Sequence, residues 1–350
     1  MFVAEPKATE VAIPVSAPVL NSANAWRKIV EPIEPFLGRV ADRLSEQVAT
    51  FEPEIAPYAQ YALTNQGKQL RPALVALSAG PAAETRTEAI VTVAVIIEMI
   101  HLATLVHDDV MDDAAMRRRR PTLARNWGNQ ISVLLGDCLF AHALKLAAGF
   151  PTTEVCQAVA SATKTVCSGE ILQTHRTRQK EMSRDEYYRI LRMKTGELFA
   201  VSCDLGGWLA GAQAEERKAL RSFGLNLGTA YQIYDDCLDI FGSESTAGKS
   251  LGTDLLNGKL TLPVLIALEK GQGRKATRLR ALLSSWTAEK AGEMLRLLAE
   301  ADALGESRTV IQGFLSSANS SLDAMPKAHA RPCLKDLCAF LAQQSLSLGV

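Results

Sequence analysis

The sequence has no charge to spare. Its 350 residues carry 38 Lys and Arg against 38 Asp and Glu, a formal net charge of zero. Proteins that follow a nucleic-acid backbone or lie on an anionic membrane neutralise many phosphates at once and carry a basic excess, so nucleic acid is not an expected partner. Aromatic residues are sparse, at 6%. Seven cysteines without a C-x-x-C pair exclude a zinc ribbon and an even disulfide framework; they read as reduced, mostly buried thiols. Strand-like alternation is nearly absent. The longest apolar run, Ala89 to Val106, holds Glu98 and His101 and runs into two aspartates, unlike a membrane span of about 20 apolar residues. An integral membrane protein is therefore not expected. The opening MFVAEPKATEVAIPVSAPVL has Glu5, Lys7 and Glu10 where a signal peptide needs an unbroken apolar core. Residues 1–24 read as a disordered tail and 25–350 as one domain.

What is present is hydrophobic: 47% of the residues are apolar and 22% charged, a globular composition able to bury a large core. Ile33, Phe36, Leu37, Val40, Leu44 and Val48 recur at threes and fours, as do Leu265, Leu268, Leu279, Leu282 and Leu283, which is the helical period. Gly80-Pro81, Gly149-Phe150-Pro151 and Gly271-Gln272-Gly273 punctuate these stretches. The expected fold is all-α, a single large bundle of about ten or more helices. Stretches 89–106 and 131–148 are apolar all round and belong at its centre. Residues 271–350 are more polar and complete it.

Two acidic clusters follow apolar stretches: Asp108-Asp109-Val110-Met111-Asp112, and Asp235-Asp236-Cys237-Leu238-Asp239 after Leu225 to Tyr234. Helical positions i and i+4 share a face, so each D-D-x-x-D crowds three carboxylates at the end of a buried helix. Such crowding is costly unless cations balance it. One copy reads equally well as a solvated helix end; two copies at apolar helix ends do not. Hard oxygen ligands on facing helices suit Mg²⁺, which completes its shell with water and phosphate oxygens. The implied ligand is a polyphosphate.

The basic residues are as localised. Lys68 and Arg71 lie within one turn in Gly67-Lys68-Gln69-Leu70-Arg71-Pro72, Arg117 to Arg120 follow the first acidic cluster, and Lys194, Lys249 and Lys259 surround the second half. Arginine forks grip phosphate and lysine adds point charge. Four arginines in a row are usually a solvated or nucleic-acid-facing patch; beside a carboxylate cluster in a neutral chain they point to a bound diphosphate. His101 precedes Asp108 by two helical turns and faces the same way, which favours a diphosphate role over a core role. His107 reads as structural.

In order and spacing, GKQLRP, EMIHLATLVHDDVMD, RRRRPT, the GD of LLGDCLF, GEILQ, MKTGELF, YQIYDDCLD and GKSLGTDLLNGKLTLP resemble the trans-isoprenyl diphosphate synthase (polyprenyl synthetase) family, long-chain type. The resemblance runs from Asn65 to Leu268; the tail SSLDAMPKAHARPCLKDLCAFLAQQ is similar to the family's last helices with less specificity. It implies the isoprenoid synthase fold, with helices around a central cavity. It also implies a cytoplasmic, homodimeric prenyltransferase joining isopentenyl diphosphate to an allylic diphosphate, farnesyl or geranylgeranyl. By the same resemblance, Asp108, Asp109, Asp112, Asp235, Asp236 and Asp239 hold Mg²⁺, about three ions per active site. Lys68, Arg71, His101 and Arg118 take isopentenyl diphosphate; Arg117, Lys194, Lys249 and Lys259 take the allylic diphosphate. Thr195, Gln173 and Gln232 lie beside the reacting carbons. Arg119 stands where the family commonly has glycine.

In such enzymes the growing chain runs back along the helix of the first acidic cluster. Ala103 and Thr104, one turn upstream, are small, so a chain can pass on towards Ile100 and Ile97, and towards Phe140 or Leu144 on the neighbouring helix. The expected product is long, about C30–C50 given the room those side chains leave; a C20 synthase blocked deeper, or a C15 synthase, is the alternative. A terpene cyclase would carry a different second metal motif and an aromatic-lined cavity. A non-catalytic subunit of a heteromeric synthase would have lost metal aspartates, and all six are present.

Overall fold

The computed structural model describes residues 22–64, 67–118, 120–179, 181–242, 251–271, 273–323, 325 and 331–349, and they are helical almost throughout. First come α1 (Ser22–Val30), α2 (Glu34–Val48), α3 (Ala56–Leu63), α4 (Leu70–Ala79), the single turn α5 (Ala82–Thr85) and α6 (Thr87–Met111). A minimal hairpin, β1 (Met116–Arg117) with β2 (Arg120–Pro121), leads into α7 (Leu123–Trp127), α8 (Asn129–Ala148), α9 (Glu154–Gln179) and α10 (Arg184–Leu191). A π-helical turn, Arg192–Gly196, then joins α11 (Glu197–Leu209), which precedes α12 (Ala214–Phe241). After a short turn at Thr253–Leu256 come the helices Leu262–Lys270, Arg274–Ser284, Ala291–Glu300, Ala303–Asp323 and Arg331–Leu346. The all-α expectation holds. The chain is already helical at Ser22, so residues 22–24 open α1 instead of closing a tail; residues 1–21 lie outside the described residues.

Apolar spacing explains the packing. In α2, Phe36, Val40 and Leu44 are buried at successive turns, a single stripe with polar residues outside it. In α6 the stripe becomes the whole circumference: Ile90, Val93, Ala94, Ile96, Ile97 and Ala103 are all fully buried. A helix without a polar face has nothing to offer water, so α6 takes the middle of one half of the bundle. α4 and α11 form the wall between the halves. Val201 and Leu205 of α11 join the core around α6, while its Phe199 and Cys203 join the core around α12 and the last helices. The more polar C-terminal region completes that second core through Leu279, Leu282, Leu297, Ile311 and Leu315.

Two expectations change. α8 is not central: its apolar window is 33% buried against 72% for α6. Leu135, Leu139 and Ala143 turn to the core, whereas Val133 and Leu134 are 42% and 55% exposed. A helix at the edge of a bundle meets its own chain along one stripe, and composition does not say what covers the other. The cysteines are all free, as expected, but only Cys203, Cys237 and Cys338 are buried, and Cys138 and Cys167 are exposed.

Leu139, with 0% exposure, tests the core. Leu139→Ala should cost about 2–5 kcal/mol in urea unfolding, whereas Leu346→Ala, at 60% exposure, should stay within about 0.5 kcal/mol.

Candidate active site

Three carboxylates gather at the C-terminal end of α6. Asp108 and Asp109 lie in its last turn, and Asp112 caps it by returning its backbone N–H to the Asp108 carbonyl at 2.8 Å. A helix C-terminus bears partial negative charge, so these groups repel one another and the helix end alike. Each is met by a cation. Arg117 Nε donates to Asp109 Oδ1 at 2.6 Å, Lys259 Nζ lies 2.9 Å from Asp112 Oδ1, and Lys194 Nζ stands 4.0 Å from Asp108 Oδ2. Burial nevertheless raises the pKa of Asp108 and Asp109. Burial alone would lower the Lys194 ammonium, but Asp108 and Glu170 raise it above its ordinary value.

Lys194 and Thr195 belong to the π-helical turn, where a widened ladder re-aims side chains. Gly169 permits the close packing around it: a Cβ there would lie 2.8 Å from Met193 Cβ and 2.9 Å from the Lys194 backbone nitrogen. With α9 that near, Glu170 Oε2 reaches Lys194 Nζ at 2.5 Å, and Gln173 Oε1 accepts from it at 2.9 Å. Thr195 Oγ1 donates to Gln232 Oε1 at 2.8 Å, and Gln232 Nε2 donates to Asp236 Oδ1 at 2.9 Å. Tyr187 Oη closes the chain on Asp236 Oδ2 at 2.6 Å.

The second acidic cluster sits near the C-terminal end of α12, across a cleft of ≈ 430 Å³ bounded by Gln173, Lys194, Gln232, Asp236, Asp254 and Lys259. Burial first, then the Asp254 charge, pushes Asp236 up to about 7 despite its two hydrogen bonds. Asp239 is 2% exposed and accepts from Thr253 Oγ1 at 3.2 Å and from the backbone N–H of Asp254 at 3.1 Å. It thereby pins the Thr253–Leu256 turn, whose Asp254 lies 3.6 Å from Lys259 Nζ.

Lys68, Arg71, His101 and Arg118 come together as expected, by way of strained backbone. Gln69, just before α4, has φ 48°, and Arg118, at the turn of the hairpin, has φ 50°. Two-residue hairpin loops favour positive φ, yet a residue with a side chain pays about 1–3 kcal/mol there. Gly67 gives the Arg118 guanidinium its seat, since a Cβ at Gly67 would lie 2.4 Å from Nη2. The Arg71 guanidinium rests over the Phe199 ring, 5.1 Å from its centroid. Crowding by protein lowers the Lys68 pKa while Asp235 raises it, which puts this pocket beside the second acidic cluster. Burial, then Arg71, Arg118 and Arg117, hold His101 well below its usual pKa. It is neutral, a hydrogen-bonding group and not a cation.

Along α6, Ala103 is 0% and Ile100 1% exposed, and Thr104 spends its hydroxyl on the His101 carbonyl at 2.7 Å. Phe140 packs on His107 with centroids 5.7 Å apart. The structural reading of His107 stands: its Nε2 donates to the Val133 carbonyl at 3.1 Å, tying α6 to α8. Lys249 and Arg119 lie outside the described residues.

Three site residues went unread in the sequence: Glu170, Tyr187 and Asp254. Glu170 and Asp254 stand inside the motifs GEILQ and GTDLLNGK, which marked their segments but not their roles. Tyr187 carried no signal.

Among the described residues no three Asp, Glu, His or Cys side chains close on one point tightly enough to hold a metal unaided. The donors are still the hard oxygens Mg²⁺ takes, for a cation that brings phosphate oxygens and water to complete its shell. The six aspartates are not equivalent. Asp109, Asp236 and Asp239 are tied to Arg117, to Tyr187 and Gln232, and to the Thr253–Leu256 turn, whereas Asp108 and Asp112 meet lysine ammonium groups that a metal can displace.

The model of the family described as polyprenyl synthetase matches residues 52–300. The chain therefore belongs to that family, the trans-isoprenyl diphosphate synthases, and is a prenyltransferase. It is 35% identical over 301 residues to heptaprenyl diphosphate synthase component 2 of Bacillus subtilis, covering 86% of both chains. It is 36% identical over 273 residues to the nonaprenyl diphosphate synthase of Mycobacterium tuberculosis, 77% of this chain and 81% of that one. A solved polyprenyl synthase from Caulobacter crescentus, complexed with calcium and isoprenyl diphosphate, matches with a TM-score of 0.82 at 30% identity, over 91% of this chain and 97% of that one.

Asp236 accepts from Tyr187 and Gln232, and its protonation disturbs that chain, so turnover should fall as pH drops through the Asp236 titration near 7. The Tyr187 hydrogen bond favours the charged form and lowers that pKa. Tyr187→Phe should move the acidic limb of the kcat/KM profile to higher pH; an unmoved limb would contradict the assignment.

Proposed function

We propose that this enzyme extends an allylic diphosphate with isopentenyl diphosphate, repeatedly, to an all-trans polyprenyl diphosphate of about C30–C50. The observation that carries the reading is the first acidic cluster met by Lys194 and Lys259, with Lys259 also beside Asp254, which Asp239 of the second cluster holds, and with the small, sealed Ala103 behind the first cluster. The relatives named as hepta- and nonaprenyl diphosphate synthases support the long product.

Lys194 and Lys259 hold the allylic diphosphate, exchanging their carboxylate partners for phosphate oxygens, and Arg117 joins them through the guanidinium N–H groups that Asp109 does not take. Asp108, Asp112 and Asp235 would hold Mg²⁺, which would supply positive charge to stabilise the departing diphosphate. Lys68, Arg71, Arg118 and neutral His101 hold the head group of isopentenyl diphosphate. As the allylic C–O bond breaks and its electron pair leaves with the diphosphate, the Thr195 and Gln232 oxygens steady the developing cation. The isopentenyl double bond attacks that carbon, a C–C bond forms, and a proton passes to the released pyrophosphate. Asp239 serves by presenting Asp254, and Glu170 by orienting Lys194.

The partly uncovered apolar face of α8, with Val133 and Leu134, supports a homodimer joined there; Leu134→Asp should convert the dimer to monomer in sedimentation analysis. A cytoplasmic enzyme that passes its product to the membrane fits a charged site with an apolar chain behind it.

Farnesyl and isopentenyl diphosphates incubated with the enzyme and Mg²⁺ should yield chains that chromatographic sizing places in the C30–C50 range, about six or more isoprene units. Mainly C15 or C20 would overturn the length. Ala103→Phe should shorten the product, because a ring cannot share that sealed space. Asp108→Ala should cut turnover by about two orders of magnitude or more.

A further inference from the structure

One charged residue lies deep in the apolar stretch of α6. Glu98 is 2% exposed, and its Oε2 is sealed from solvent without a hydrogen-bond partner. A carboxylate kept ionised in a protein interior is costly unless charge nearby compensates it. Glu98 precedes His101 by three residues, so the two share a helix face, and that face looks on the basic pocket. Burial raises the Glu98 pKa, while Arg71 and Arg118 are the charges that lower it. After burial, Glu98 is the foremost influence on both guanidiniums.

The two arginines reach this place from separate elements. Arg71 comes from α4 and rests over Phe199; Arg118 comes from the hairpin, at φ 50°, and sits on Gly67. Two like charges delivered to one half-buried site repel. Arg71 Nε is itself sealed and without a partner.

We propose that Glu98 is a positioning residue, whose buried carboxylate holds the Arg71 and Arg118 guanidiniums together and aimed at one point before isopentenyl diphosphate arrives. The proposal rests on assigning Lys68, Arg71, His101 and Arg118 to that substrate. A pocket organised in advance spends less of its binding energy on gathering its groups. Glu98 touches no reacting atom and acts only through the arginines.

The sign of its effect separates positioning from simple charge. If only net charge mattered, Glu98→Gln would make the pocket more positive and bind the diphosphate more tightly. Positioning demands the reverse: without the carboxylate the guanidiniums part, and the substrate must draw them back. The test is calorimetric titration of the full chain with isopentenyl diphosphate in EDTA, together with KM for each substrate in Mg²⁺. E98Q should weaken isopentenyl diphosphate binding and raise its KM about tenfold, with the farnesyl diphosphate KM within about twofold of wild type. Tighter or unchanged binding, or equal losses for both substrates as a general packing defect would give, overturns the role. Should E98Q not fold, E98D carries the test: it keeps the charge but withdraws it, so the isopentenyl diphosphate KM should rise selectively, and an unaltered KM overturns the proposal. Arg71→Met tells the two readings apart. If R71M binds isopentenyl diphosphate as wild type does, the pocket assignment fails and the Glu98 role with it. If R71M loses binding while E98Q does not, the Glu98 role alone fails.

Discussion

Acidic side chains at the negative ends of two buried helices are the constraint on which the rest of the structure depends. α6 and α12 run through apolar surroundings and end in Asp108, Asp109 and Asp112, and in Asp235, Asp236 and Asp239. Neither the helix dipole nor the carboxylates tolerate the other's charge without cations. Much of the nearby architecture supplies them: the hairpin brings Arg117, the π-helical turn brings Lys194, and the segment after Thr253–Leu256 brings Lys259. These ammonium and guanidinium groups are the counter-ions of the resting fold and, in the function we propose, the grip on the diphosphate.

Having one set of cations serve both purposes ties stability to chemistry. A carboxylate that meets only an exchangeable lysine can pass to a metal, whereas one tied to a phenol, an amide or a backbone N–H orients its surroundings. Asp108 and Asp112 are of the first kind. Asp236 and Asp239 are of the second, and through them Tyr187, Gln232, Thr195 and Asp254 are held in one connected site. The basic pocket follows a similar rule. It is assembled by backbone strain at Gln69 and Arg118, and burial, with the charge it gathers, leaves His101 neutral.

Much of this was legible in the sequence, for physical reasons. Helical period in residues 33–48 and unbroken apolarity in 89–106 translate directly into a striped α2 and a buried α6, because burial of a helix face depends on local spacing. The D-D-x-x-D pairs and GKQLRP named their own chemistry. The composition of α8 resembles that of α6 and suggests a central place, but composition does not distinguish a face covered by its own chain from one left at the edge. The π-helical turn left no mark in the residues, since it arises where α9, α11 and α12 crowd together around Gly169 and its neighbours.

By itself, then, the sequence determined the all-α class, the two acidic clusters, the basic segments that answer them and the small residues behind the first cluster. Each of these is a matter of residue type at short range. Only the tertiary structure decided which aspartates meet lysines and which are tied by hydrogen bonds, that Glu170, Tyr187 and Asp254 stand among them, and that His101 stays uncharged. Those outcomes are set by burial and by charges on elements far apart in the chain, and electrostatic energy depends on separation in space and on exclusion of water, which no local pattern encodes.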